Sequence, residues 1–274
     1  MKGLPQIGKC PLCLNDNANL HKSHFIPAAA FKIIRAQAIR EGYKNPNPVV
    51  MNIRAAFQSS MQMTADLLCH SCEQRLSANG EAWVLKNCWR GETFLLKSTI
   101  ESETPERDEE EVRIYWTSKL PAIDRSALTY FAASVFWRAS AHNWWGKRHK
   151  SPLKLGPYAE QLRQYLMGIS GFPKDCAIVL VLPDTDVEAM KMVQFIPSAR
   201  RFANCHLYIL HFLGIQFLLF AGKMFPEEYR EMDFVHGNGN PILVTSRFER
   251  WMRLDLVRGL GNKRLSKIAR NIDF

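Results

Sequence analysis

The chain has 274 residues, of which 47% are hydrophobic and 23% charged, and this composition excludes an intrinsically disordered protein. Its 36 lysines and arginines exceed its 26 acidic residues and give a net charge of +10, which favours nucleic acid as a partner, with an anionic membrane surface as the rival. The first residues lack the apolar stretch of a signal peptide, so we expect a cytoplasmic protein. In that reducing compartment, seven cysteines are not expected to form a disulfide framework.

Two helices are predicted in the first hundred residues. The pattern over 28–42 predicts a helix, which ends at Gly42 and the Asn45-Pro46-Asn47-Pro48 segment. A second helix is predicted over 73–87. The stretch 101–111 is strongly acidic and indicates a linker or an exposed loop.

The second half of the chain predicts a mixture of strands and helices. The expected elements are a strand over 112–117, helices over 126–145 and 158–167, a strand over 177–182, a hairpin over 206–220 and a helix over 248–257. The segment 205–221 approaches the length and apolarity of a membrane span. Its polar residues favour instead two strands that meet at Gly214–Ile215, so we expect no membrane partner.

Two Cys-x-x-Cys pairs are the most specific chemical signal in the chain. Cys10 and Cys13 form the first pair, and Cys69 and Cys72 form the second. The two-residue spacer lets both thiolates of a pair face one ion, and four thiolates complete the tetrahedral shell of a structural zinc site. A full shell leaves no open position, so we predict a zinc ion that stabilises the fold. A redox pair and free buried thiols are the alternatives.

Between the pairs lies Ser23-His24-Phe25-Ile26-Pro27, and Glu73 directly follows the second pair. This arrangement resembles the HNH, or His-Me finger, nucleases. In that family a β-hairpin carries a histidine in a His-x-x-Pro setting, a helix packs behind it, and Cys-x-x-Cys pairs often join the hairpin to the helix. The match covers residues 10–85 and is similar to a bacterial subgroup with Ser-His-x-Ile-Pro and Cys-x-x-Cys-Glu motifs.

The resemblance implies a role for each matching residue. His24 would be the general base that takes a proton from water, and Glu73 would bind a catalytic Mg²⁺ or Mn²⁺ ion. Asp66 is a further candidate ligand, and Ser77 and Glu81 match helix positions of the subgroup. Because a spacing of four residues repeats on one face of an α-helix, we expect Glu73, Ser77 and Glu81 to share a face. The alternatives are a hydrogen-bonded turn histidine at 24 and solvated helix side chains at 73 and 81.

Two departures from the family pattern keep a second hypothesis open. Ser23 stands where the family usually has an acidic or histidine metal ligand, and the family's middle asparagine has no clear match. The alternative to an enzyme is therefore an HNH scaffold that has lost its catalytic metal site and binds nucleic acid or a protein partner.

The C-terminal segment is basic and predicts contacts with phosphate. Lys263, Lys267 and Arg270 fall on one side of a short predicted helix. A solvated basic helix, or one that lies on a membrane surface, is the alternative interpretation.

We therefore predict an α+β fold in three parts. An N-terminal zinc-stapled ββα (HNH-like) module spans 1–100, an acidic linker or loop spans 101–111, and an α+β accessory domain with a small antiparallel sheet spans 112–274. The predicted function is a divalent-metal-dependent endonuclease that acts on nucleic acid, with DNA favoured. The resemblance also suggests an effector of bacterial antiphage defence or of a mobile element, with a protein activator as a further partner. A membrane-associated effector is the third hypothesis.

Overall fold

The computed structural model describes residues 6–40, 42–52, 55–60, 62–90, 93–144, 152–184, 193–202, 204–224 and 226–246. The predicted helix over 248–257 and the basic residues Lys263, Lys267 and Arg270 lie outside the described residues. Within them the chain is a mixed α+β structure, as predicted.

The described strands and helices alternate irregularly along the chain. The strands are β1 (Gln6–Gly8), β2 (Ala18–His24), β3 (Val49–Asn52), β4 (Ala55–Gln58), β5 (Thr64–Cys69), β6 (Arg107–Glu109), β7 (Val112–Trp116), β8 (Cys176–Pro183), β9 (Val193–Phe202), β10 (Cys205–Phe212), β11 (Ile215–Ala221) and β12 (Pro241–Thr245). The helices are α1 (Ala28–Arg40), α2 (His70–Leu76), α3 (Ala82–Asn87), α4 (Leu95–Glu101), α5 (Arg125–Ala141), α6 (Tyr158–Met167) and α7 (Glu227–Glu231).

A small antiparallel sheet carries His24 and Cys69. Its order is β1-β2-β5, and its strands are antiparallel. The register between β2 and β5 shifts near His21 and Lys22, where Leu67 is an extra residue in β5. This β-bulge places Leu67 and Leu68 consecutively in the core, because one inserted residue breaks the strict alternation of faces.

The helix that follows β5 contains a π-helical turn. It begins at His70, directly after the last residue of β5, and ends at Asn87, so the predicted helix over 73–87 is confirmed and starts three residues earlier. Its middle, Ser77–Glu81, is π-helical, and the amide of Ala82 donates to the carbonyl of Ser77 five residues back. Gly80 faces α5 so closely that a Cβ atom would lie 2.8 Å from the backbone nitrogen of Phe131.

The second sheet has nine strands and draws on both halves of the chain. Its order is β4-β3-β9-β10-β11-β8-β12-β7-β6, and only β3–β9 and β8–β12 pair in parallel. Because β3 and β4 precede residue 101, this sheet is larger than the small sheet predicted for 112–274. The pairing that enlarges it joins segments more than a hundred residues apart, and strand patterning alone does not specify such partners.

The acidic stretch 101–111 forms part of the edge of the large sheet. Glu101 ends α4, and the three exposed residues of β6 pair antiparallel with β7. Charged side chains on an edge strand oppose pairing with another chain. Most of the stretch is exposed, and residues 107–109 of it form a strand.

Helix α5 lies at the centre of the core. Its residues 127–139 are buried on all sides, because the helix of residues 70–87 and α6 pack against it and its Phe131 contacts β10 and β11. Phe131 makes ring contacts with Phe212 of β10 and Phe217 of β11 at 5.1 and 5.8 Å between centroids. The sole strongly basic side chain among its buried positions is Arg138.

The apolar segment 205–221 is the β10–β11 hairpin. Leu213 and Gly214 form its two-residue turn with positive φ angles of 49° and 80°. Two positive φ angles give the turn the twist that antiparallel strands require. The hairpin predicted with its turn near Gly214–Ile215 is confirmed. No helix in the described part of the chain has the length and apolarity needed to cross a membrane.

Candidate metal centre and the His24 site

The four predicted cysteine ligands converge at one end of the small sheet. Cys10 and Cys13 lie in the turn after β1, Cys69 ends β5, and Cys72 lies in the first turn of α2. Their sulfur atoms lie within 4.8 Å of one another, with Cys13 Sγ 3.7 Å from Cys69 Sγ. A tetrahedral zinc site with Zn–S bonds of about 2.3 Å has sulfur–sulfur edges of about 3.8 Å. The cluster can therefore hold one metal ion such as zinc.

The backbone around the first pair is shaped to present both sulfurs. The amide of Leu14 donates to the carbonyl of Cys10 at 2.8 Å, and the amide of Cys10 donates to the carbonyl of Asn15 at 2.9 Å. Leu14 adopts φ of 64°, which closes this tight turn at a conformational cost for a side chain other than glycine. The amide of Cys69 donates to Cys10 Sγ at 3.4 Å, so the second pair already contacts the first.

The electrostatics of the cluster favour a thiolate. A hydrogen bond from Cys72 lowers the pKa of the Cys10 thiol to about 4, and backbone amides contribute to the same shift. The pKa of Cys72 is raised, because it retains the proton that it shares with Cys10. Thiolates are the form in which cysteines bind metal, so the described donor set fits a soft cation.

His24 is the last residue of β2, and it lies at the opposite end of the β2–β5 ladder from Cys69. It is half-buried and pairs with Thr64 of β5. The carbonyl oxygens of His24 and Phe25 both accept hydrogen bonds from Arg138 of α5, at 2.9 and 3.2 Å. The backbone of the predicted general base is thus held by a residue from the second half of the chain.

Ser23 has a structural role in the bulge. Its side chain is fully buried, and its hydroxyl accepts a hydrogen bond from the amide of Leu68 at 3.1 Å and donates to the carbonyl of His21 at 3.3 Å. These bonds satisfy polar groups that the irregular β2–β5 register leaves without ladder partners. The side chain of Ser23 therefore points into the protein, and its hydroxyl is engaged in hydrogen bonds.

The predicted oxygen ligands do not gather into one cluster. Glu73 is half-buried, and its Oε1 atom is buried with no hydrogen-bond partner. Asp66 and Ser77 are exposed, and Glu81 forms an ion pair with Arg138. Across the described ranges, the four cysteines are the one group of at least three candidate ligands whose donor atoms lie within 4.8 Å.

Glu73, Ser77 and Glu81 lie in three different environments. Glu73 is half-buried, Ser77 is exposed, and Glu81 is paired with Arg138 of α5. The helix is not a regular α-helix here, because the turn over Ser77–Glu81 is π-helical.

Sequence reasoning missed Arg138. Arg138 is 2% exposed, and it is the one cation among the largest fully buried side chains of the described residues. It lies in a predominantly apolar run of the sequence. A charge inside a buried helix must be paired. The presence of an arginine in a predicted buried helix was therefore the signal that a carboxylate or carbonyl group of another segment packs against it. Trp144, by contrast, is a buried apolar residue of the core.

Comparison with known proteins adds no relative. No family model matches the chain, and no similar protein was found among curated proteins or solved structures.

Proposed function

We propose that this chain is a divalent-metal-dependent endonuclease of the HNH type that acts on nucleic acid, with DNA as the favoured substrate. The observation that carries the proposal is the joint arrangement of three parts. A strand ends at His24, its antiparallel partner β5 leads directly into the helix that carries Glu73, and four cysteines join the first turn to that junction. This order of two paired strands and a helix supports the ββα unit that the resemblance implies.

Zinc and the catalytic cation would have separate tasks. Four cysteine ligands leave zinc no open position, so zinc would stabilise the ββα unit. Glu73 fits a hard cation, because its buried Oε1 atom is an oxygen donor without a hydrogen-bond partner. A bound Mg²⁺ or Mn²⁺ ion would supply stabilisation of the negative charge that develops on the phosphate.

The protein residues would activate the nucleophile and bind the substrate. His24 would accept a proton from water as the water attacks phosphorus, since an imidazole can exchange protons near neutral pH. The positive net charge of +10 would attract the phosphate backbone. Lys263, Lys267 and Arg270, outside the described residues, remain our predicted phosphate contacts.

A second candidate function is an HNH scaffold that binds nucleic acid or a protein without cleavage. Two observations favour it: the Ser23 hydroxyl is engaged in hydrogen bonds, and Glu81 is paired with Arg138. Fewer oxygen atoms are then available to bind a cation together with Glu73 and His24. The two functions differ in one requirement: the enzyme needs a second, exchangeable divalent cation, and the scaffold does not.

The discriminating experiment is a cleavage assay with purified zinc-loaded protein. Plasmid and single-stranded DNA are incubated with and without Mg²⁺ or Mn²⁺, for the wild type, His24→Ala and Glu73→Gln. His21→Ala is the matched control, because His21 is an exposed histidine on the same strand.

Metal-dependent cleavage that His24→Ala abolishes and His21→Ala retains would support the enzyme. Glu73→Gln should raise the Mn²⁺ concentration at half-maximal rate, since it replaces a charged ligand by a neutral one. Absence of cleavage by zinc-loaded wild type, together with a gel shift of the same DNA, would replace the enzyme by the binding scaffold.

A further inference from the structure

Arg138 connects the second half of the chain to the His24 site. Its guanidinium is 2% exposed and lies in α5, 114 residues after His24. One terminal nitrogen donates to the carbonyls of both His24 and Phe25, and the other forms the ion pair with Glu81. One side chain thus bridges the end of β2 and the helix of residues 70–87.

The turn that follows α5 adds one further contact to this segment. The indole nitrogen of Trp144 donates to the carbonyl of Arg138 at 2.7 Å, which fixes the indole, and its ring lies 5.5 Å from that of Phe25 between centroids. His24 and Phe25 are therefore held from α5 and the turn that follows it. The small sheet alone does not supply these contacts.

An arginine is required for this geometry. A guanidinium is planar and presents several N–H donors in a fixed fork, so it can serve two carbonyls and a carboxylate at once. A lysine carries the same charge but presents a compact ammonium at a single point. Lysine at this position could pair with Glu81, yet it would not hold both carbonyls in the same arrangement.

We propose that Arg138 is a positioning residue, which fixes the backbone at His24–Phe25 against the helix of residues 70–87 and takes Glu81 as its counter-ion. This inference rests on the proposed function for its catalytic consequence. It assigns Glu81 to the ion pair and leaves Glu73 as the helix carboxylate available to a cation. It also makes the backbone at His24 dependent on α5.

Three variants test the proposal: Arg138→Lys, Arg138→Gln and Glu81→Gln. Arg125→Gln is the matched control, because Arg125 is an exposed arginine of the same helix. For each variant, zinc content and thermal midpoint show whether the protein folds. Hydrogen exchange at the Phe25 amide shows how firmly the backbone at His24–Phe25 is held. The cleavage rate is measured as a function of DNA concentration and of Mn²⁺ concentration. The Phe25 amide is a suitable probe because it donates to Met63 of the adjoining segment at 3.0 Å.

Arg138→Lys distinguishes positioning from simple stabilisation. We expect zinc content and thermal midpoint close to the wild type, a kcat lower by about 10- to 100-fold, and an unchanged KM, because misplacement of a reacting group lowers the rate of the chemical step. If Arg138→Lys had both the cleavage rate and the thermal midpoint of the wild type, the proposal would be overturned, because a purely structural ion pair predicts that result.

Glu81→Gln tests the assignment of this carboxylate. The Mn²⁺ concentration at half-maximal rate should stay within about twofold of the wild type, because the side chain is not a metal ligand in this proposal. A rise of about tenfold or more would make Glu81 a ligand and overturn the assignment.

Hydrogen exchange separates this proposal from the proposed function. If the wild type does not cleave DNA with either metal, the nuclease function fails, and Arg138 is judged by exchange alone. Arg138→Gln should accelerate exchange at the Phe25 amide by about tenfold while Arg125→Gln does not. Unchanged exchange in Arg138→Gln would overturn the positioning role whether or not the protein cleaves DNA.

Discussion

Gly80→Ala should destabilise the protein through a contact between two backbones. In the helix of residues 70–87, a Cβ atom at position 80 would lie 2.8 Å from the nitrogen and 3.0 Å from the Cα of Phe131, and 3.2 Å from the carbonyl oxygen of Ala127. All three atoms belong to the backbone of α5, so no side-chain rotation can relieve the contact. The two helices must separate or shift.

The size of the effect follows from two opposing terms. Overpacking of a filled core costs about 1–3 kcal/mol, and about 2–3 kcal/mol is expected here because every contacted atom belongs to the backbone. Replacing glycine by alanine inside a helix returns about 1 kcal/mol of helix propensity. The net loss should be about 1–2 kcal/mol of unfolding free energy, or roughly 2–8 °C in thermal midpoint for a chain of this size.

Urea unfolding of the zinc-loaded proteins, followed by circular dichroism, measures this difference. Gly171→Ala is the matched control, because a Cβ atom there has nothing within 4 Å and its backbone needs no positive φ. We expect the control to stay within about 0.5 kcal/mol of the wild type or to gain slightly. A Gly80→Ala variant as stable as Gly171→Ala would refute the close packing of the helix of residues 70–87 on α5.

Three further predictions concern the cysteine cluster, its first turn and a buried carboxylate. Native mass spectrometry should find one zinc ion per chain in the wild type and in Cys88→Ala, a buried cysteine outside the cluster, but none in Cys69→Ser; zinc retained by Cys69→Ser would contradict the four-ligand site. Leu14→Gly should raise the unfolding free energy by about 0.5–1 kcal/mol in urea, because glycine accepts φ of 64° without strain, and Leu14→Ala, which keeps the strain, should show no such gain. Burial raises the pKa of Asp233, so its folded state binds more protons than the unfolded state between the ordinary pKa of 3.8 and the raised value, and stability falls as pH rises through that window. Asp233→Asn should therefore be at least as stable as the wild type at pH 7 in urea unfolding, since its side-chain oxygen can still accept from Ile178 and Val235, whereas a clear loss of stability would mean that the charge itself stabilises the fold.

Much of the local structure could be predicted because it depends on near neighbours. The four cysteines identify themselves by the spacing within each pair, and the hairpin over 206–220 is recognisable from its apolar strands around a glycine turn. Helix α6 matches its predicted range because Gly168, with φ of 73°, ends it at the expected place. In each case the controlling residues lie within a few positions of one another.

The candidate site could be predicted only in part. His24 and Glu73 were identified through the resemblance, and the structure places them on β2 and on the helix after β5. Ser77 and Glu81 were assigned to one face on the assumption of a regular α-helix. The π-helical turn arises where Gly80 meets α5, and a helical pattern read from sequence contains no information about that contact.

The sequence by itself determined the candidate metal ligands, the β10–β11 turn and most helix positions, because residue type and short spacing decide them. Tertiary structure alone decided that Arg138 holds His24 and pairs with Glu81, 57 residues away, and that β3 pairs with β9. The physical reason is that a buried charge and an open strand edge each require a partner, but many distant segments could satisfy that requirement. The packing of the whole core selects which one does.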